Sequence, residues 1–81
     1  MPGRDKEWDR VEISSEMQLT NHTSIRISNA YKGNRKYIIQ ERILKDDNGV
    51  VVKSFNKNTM RVSLAERIAT ELLNAIIKCS N

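Results

Sequence analysis

Arg35-Lys36-Tyr37-Ile38-Ile39-Gln40-Glu41-Arg42-Ile43-Leu44-Lys45-Asp46-Asp47-Asn48-Gly49-Val50-Val51-Val52-Lys53-Ser54-Phe55 is the stretch that decides the fold. Asp46 to Gly49 separates two β-prone runs, and Asn-Gly is a strong hairpin signal, expected here to supply the left-handed positions of a type I′ turn. Val50 to Phe55 is β-branched and reads as a strand. Arg35 to Lys45 reads as the longest strand. Its odd face carries Tyr37, Ile39, Glu41 and Ile43, and its even face Lys36, Ile38, Gln40, Arg42 and Leu44. Apolar residues on both faces suggest a helix against one face and a partner against the other, or a bulge at Ile38-Ile39.

Upstream, Thr23 to Ala30 alternates, with Ile25 and Ile27 on one face and Arg26 and Ser28 on the other. The turn Lys32-Gly33-Asn34 links it to the long strand, using residue types that accept positive φ at low cost. Thr20-Asn21-His22 reads as an earlier turn. Residues 10–19 place Val11, Ile13, Met17 and Leu19 at odd positions, as in a strand broken at Ser14-Ser15, while Glu16-Met17-Gln18-Leu19 also suits a helix. Residues 1–9, with an isolated Trp8, read as a flexible leader ahead of a single domain over 10–81.

Downstream, Asn56-Lys57-Asn58-Thr59 reads as a polar loop and Met60-Arg61-Val62 as a short extended segment. Ser63-Leu64-Ala65-Glu66 has the spacing of a capping box that opens a helix. Leu64, Ile68, Leu72, Ala75, Ile76 and Cys79 recur at helical spacing. Leu73 and Ile77 widen that stripe beyond what one small sheet needs, which points to a dimer interface formed by Ile68, Leu72, Leu73, Ile76 and Ile77. The expected fold is α+β: a four-stranded, curved antiparallel sheet followed by one C-terminal helix, paired as a dimer.

The chain has 81 residues and a net charge of +4, with 38% hydrophobic and 30% charged residues. It holds one domain, and a core this small gains from association. No apolar run approaches the roughly 18 residues of a membrane span. The N-terminal stretch lacks the apolar region of a secretory signal, and the lone Cys79 has no disulfide partner within the chain. An intracellular setting, in cytoplasm, nucleoid or nucleus, is therefore expected.

Charge is segregated. Arg26, Lys32, Arg35, Lys36, Arg42, Lys45, Lys53, Lys57 and Arg61 stand against Glu41, Asp46 and Asp47, so residues 26–61 carry +6, more than the whole chain's excess. Tyr31 and Tyr37 flank three of these cations around the Lys-Gly turn. Aromatic rings among cations suit an extended polyanion, because rings stack bases and cations hold phosphates. The expected ligand is single-stranded nucleic acid. Arg26, Lys32, Arg35, Lys36, Arg42, Lys53 and Lys57 would hold phosphates, Arg26, Lys36, Arg42, Lys53 and Lys57 lining one groove, while Tyr31 and Tyr37 stack bases. Phe55 suits core packing better.

Catalytic constellations are absent from the sequence. His22, the only histidine, lies in a polar turn, and Cys79 at the end of the apolar stripe reads as a buried or interface thiol. Asp46 and Asp47 lack the later ligands of a calcium loop. No phosphate-binding glycine loop is present among three scattered glycines. The expectation is a binding protein, not an enzyme, with no cofactor, no metal, no membrane and no small-molecule substrate. The rival class is a dimeric protein–protein interaction module with a basic face.

The order Ile25-Arg26-Ile27-Ser28, Ala30-Tyr31-Lys32-Gly33, Ile38-Ile39-Gln40-Glu41-Arg42-Ile43-Leu44-Lys45-Asp46, Asn48-Gly49 and Arg61-Val62-Ser63-Leu64, closed by a helix, resembles the transcriptional positive cofactor four family. The resemblance spans about Thr23 to Ile77. It implies a four-stranded sheet with one helix, dimerisation, binding of single-stranded or melted DNA, and a role like that of a transcription coactivator. Tyr31 takes the place of the family's aromatic beside its Lys-Gly turn, and Leu44 stands where the family carries a second stacking ring. The layout is equally similar to a purine-rich-element-binding repeat, also four strands and a helix that bind single strands.

Overall fold

A computed structural model describes residues 8–80. Four antiparallel strands, β1 (Arg10–Gln18), β2 (Thr23–Lys32), β3 (Arg35–Lys45) and β4 (Val51–Arg61), form one meander in the order β1-β2-β3-β4, followed by helix α1 (Val62–Ser80). Residues 10–18 are therefore strand, and their break is real: the β1–β2 register shifts between Ile13 and Ser15, leaving Ser14 bulged. Asp9, counted within the expected leader, is hydrogen-bonded to the sheet. Asp9 donates its backbone N–H to the Tyr31 carbonyl at 2.7 Å, and its carboxylate accepts the Gly33 N–H at 2.7 Å. Residues 1–7 lie outside the described residues.

The β2–β3 hairpin is the regular part of the sheet, pairing Thr23 with Leu44 through to Lys32 with Arg35 without a shift. No bulge falls at Ile38-Ile39. Both Ile residues are apolar because each face of β3 has something to bury. Gly33 takes φ of 60° at the turn while Asn34 stays out of the left-handed region, so only one of the two turn residues uses that freedom.

The β3–β4 connection differs from the type I′ turn expected. Only Gly49, with φ of 81°, is left-handed. Gly49 N–H donates to the Asp46 carbonyl at 3.0 Å, and Asn48 and Val50 N–H groups donate to the Asp46 carboxylate at 2.9 and 3.0 Å. The Asp46 side chain thus organises a three-residue loop ending in a left-handed glycine. Asn56 to Thr59 is also strand rather than loop. Asn56, with φ of 53°, marks a bulge opposite Glu41, after which pairing resumes at Asn58.

Cross-strand partners share a face, so the register sorts every residue. One face carries Ile27, Ile38 and Met60, over which Ala65, Ile68, Ala69 and Leu72 of the helix lie. The opposite, open face carries Ser24, Ser28, Ala30, Ile39 and Ile43, all at 3% exposure or less. No second layer covers them among the described residues. Both outer strands carry register irregularities, and such bulges bend a strand locally.

Helix α1 follows β4 directly, so Ser63 falls inside the first turn instead of ahead of it as a cap. None of its residues is buried; Leu64, Ile68, Leu72, Leu73, Ile76 and Ile77 remain 40–59% exposed. The radius of gyration is 15.0 Å, against about 12 Å for a compact chain of this length. Cys79 is exposed, not buried, in the single chain.

The deep burial of Ile43 on an uncovered face gives a stability test. Ile43→Ala should cost about 2–5 kcal/mol by urea denaturation. Ile13→Ala, on the same face but 60% exposed at the edge, should stay within about 0.5 kcal/mol.

Candidate nucleic-acid interface

Alternation along β2 and β3, carried through a two-residue turn, divides the predicted site. Arg26, Lys32, Arg35 and Tyr37 lie on the open face, whereas Tyr31, Lys36, Arg42 and Lys53 lie on the helix face. Lys57 sits in the β4 bulge opposite Glu41. The single groove lined by Arg26, Lys36, Arg42, Lys53 and Lys57 is therefore corrected: Arg26 pairs with Glu41, whose side chain alternates with those of Lys36 and Arg42, so Arg26 lies on the opposite face from Lys36, Arg42 and Lys53. Nor do the two tyrosines form one stacking platform.

At the hairpin end of the open face, Tyr37 stands opposite Arg61 of β4, with Arg35 two residues along the same strand. The Trp8 ring packs against it, centroids 4.9 Å apart and planes at 59°. The Asp9 hydrogen bonds to Tyr31 and Gly33 fix the chain just after Trp8. The Arg35 guanidinium, with further help from Arg61, holds the Tyr37 phenol below its usual pKa. Two half-exposed rings, bracketed by guanidinium groups and adjoined by Lys32, constitute a stacking surface with phosphate-binding charge around it. Trp8 and Arg61 were not among the expected site residues. Trp8 precedes the alternating pattern, so periodicity gave no sign of it.

The middle of the open face is held by Glu16. Its carboxylate accepts hydrogen bonds from Lys45 Nζ at 2.7 Å, Ser24 Oγ at 2.8 Å and Arg26 Nε at 3.0 Å. These bonds lower its pKa from 4.5 to about 2, against an opposing effect of burial. Arg26 is thus committed within the protein. Glu41, next along this face, accepts a hydrogen bond from Ser54.

On the helix face the cations pair with rings one by one. The Arg10 guanidinium lies 4.2 Å from the Tyr31 ring centroid, and Lys53 Nζ lies 5.6 Å from that of Phe55. Lys36 is opposite Tyr31, Arg42 opposite Phe55, and Leu44 opposite Lys53. Phe55, expected in the core, is half-buried beneath this lysine.

At the far end, His22 Nε2 lies 2.7 Å from Asp47 Oδ1 and the His22 carbonyl accepts Lys45 N–H at 2.7 Å, joining the β1–β2 and β3–β4 turns. Among the described residues no three His, Cys, Asp or Glu side chains are grouped to hold a metal. No described helix is long and apolar enough to cross a membrane. No protein-family model, curated protein or solved structure matches this chain.

The Glu16 cluster predicts a pH signature. A carboxyl with a depressed folded-state pKa stabilises fully above its unfolded value and loses that contribution as pH falls through the folded value. The melting-temperature gap between wild type and Glu16→Gln should be constant above about pH 5 and should close as the pH falls from 4.5 to about 2. A pH-independent gap would show that the carboxylate's charge is immaterial.

Proposed function

We propose that this protein binds single-stranded nucleic acid, DNA or RNA, along the open face of its curled sheet, without catalysing a reaction. The observation that carries this reading is the Trp8–Tyr37 ring pair set between Arg35 and Arg61 on the face opposite the helix, uncovered among the described residues. Bases stack on the rings, and the phosphates lie against Lys32, Arg35 and Arg61. Ring faces and phosphates carry little base identity, so binding is largely sequence-tolerant. The layout agrees with the resemblance to the transcriptional positive cofactor four family, with one change: Tyr31, the ring suggested by that resemblance, belongs to the helix face.

A second copy of the chain is the proposed occupant of the helix. Six large side chains, each about half exposed, would contribute on the order of 5–9 kcal/mol per chain once covered. That is comparable with the whole stability of a small domain. Arg67 and Glu71 border the apolar strip, so a twofold pair presents each sign to the other. Such pairing extends the cover on the helix face and leaves the open face free.

One observation favours the rival reading, an interaction module for an acidic protein: Arg26 and Lys45 already hold a carboxylate. The rings separate the two. Anisotropy of a labelled oligothymidylate should show binding at low salt, stronger for the single strand than for a duplex. Trp8→Ala and Tyr37→Ala should each weaken it by roughly 1–3 kcal/mol, and Tyr31→Ala should leave it nearly unchanged. Absence of binding at low salt, or preference for the duplex, refutes the reading.

The pairing of copies is tested by sedimentation equilibrium. Wild type should sediment at twice its 9.4 kDa chain mass. Ile76→Glu, an innocuous change at a position 59% exposed in a lone chain, should abolish the dimer. A stable wild-type monomer at micromolar concentration would overturn the proposal.

A further inference from the structure

The Glu16 cluster lies on the same face as the ring pair, and its chemistry is that of an anion site already filled. Lys45, Arg26 and Ser24 converge three donors on two carboxylate oxygens at 2.7–3.0 Å. Those donors suit a phosphate oxygen equally well, since charge-assisted hydrogen bonds from ammonium and guanidinium groups serve both anions. Glu16 extends from edge strand β1, while Ser24 and Arg26 lie in the regularly paired β2–β3 hairpin and Lys45 ends β3, its N–H bonded to the His22 carbonyl. The donors therefore come from the two central strands, whereas the carboxylate reaches them from the strand whose register breaks at Ser14. The side chains of Glu16, Arg26 and Lys45 keep 25%, 23% and 32% of their exposure, so solvent and a strand can reach them.

The geometry points to a phosphodiester subsite formed by Ser24, Arg26 and Lys45, in which Glu16 is the resident anion that a nucleic-acid phosphate must displace. This inference rests on the nucleic-acid reading above and adds to it a subsite and a specificity-determining residue. Glu16 reduces the net charge of the subsite to +1, so isolated anions gain little there. A strand already stacked on Trp8 and Tyr37 delivers its phosphate at high local concentration and can compete.

The test is the salt dependence of oligothymidylate binding to the full chain, with folding of each variant verified by thermal melting. Each phosphate charge neutralised on a single strand contributes a slope of about −0.7 in log K against log salt. Glu16→Gln, which raises the subsite charge by one, should bind severalfold more tightly with a slope steeper by about 0.7. Lys45→Gln should bind more weakly with a slope shallower by about 0.7, and it carries the test alone if Glu16→Gln does not fold. Glu12→Gln makes the same charge change on the helix face, where Glu12 pairs with Arg10 at 3.2 Å, and should leave the slope unchanged. If wild type binds but the slopes of Glu16→Gln and Lys45→Gln equal its own, the subsite is refuted and the nucleic-acid reading stands. If none of the proteins binds at low salt, both fall.

Discussion

The turn at Gly33 is the constraint on which the rest depends. A left-handed glycine followed by Asn34 closes Lys32 on Arg35, and from that point β2 and β3 pair without a slip. A one-residue change of register would exchange every side chain between faces. It would bring Tyr37 and Arg35 to the helix and expel Ile38 from it. Burial opposes the same exchange, because it would set Gln40 and Arg42 on the face where Ile39 and Ile43 are now buried. The turn and the buried face therefore specify one register together.

The outer strands behave differently. β1 carries one irregularity, at Ser14, and β4 carries two, at Asn56 and at Val52 between the pairs Leu44–Lys53 and Lys45–Val51. Between them the central hairpin buries Ala30, Ile39 and Ile43 with no second layer above them among the described residues. On the same face Glu16 of β1 reaches Lys45 of β3 across the intervening strand.

Much of the architecture was legible in the sequence. The four strands, the terminal helix and the separation of Ile25 and Ile27 from Arg26 and Ser28 follow from period-two and period-3.6 patterns and from two glycine turns. Ser14-Ser15 also marked the break in β1. The polar run Asn56 to Thr59 misled because composition suggests a loop, yet backbone pairing to β3 tolerates polar side chains on a solvated edge. The Asp46 loop misled because Asn-Gly has more than one hairpin geometry, and the choice rests on where an aspartate carboxylate points.

The candidate site was less legible. Counting cations located the charge in the sheet but could not distribute it between faces, since that depends on register. Tyr31 and Tyr37 look equivalent around their turn, and only the pairing separates them. Trp8 lies before any periodic segment, so its contact with Tyr37 is tertiary and leaves no local trace. The pairing of Glu16 with Lys45 joins residues 29 positions apart, beyond any spacing rule.

Strand β4 passes into the helix with no intervening residue, Arg61 ending one and Val62 beginning the other. Arg61 also stands opposite Tyr37 in the sheet. The start of the helix is thereby tied directly to the strand residue that faces the ring pair. If two copies join through their helices, the crossing angle of those helices sets the distance between the two ring pairs. The dimer would then measure its ligand, favouring strands long enough to span both sites and leaving shorter ones to bind one site at a time.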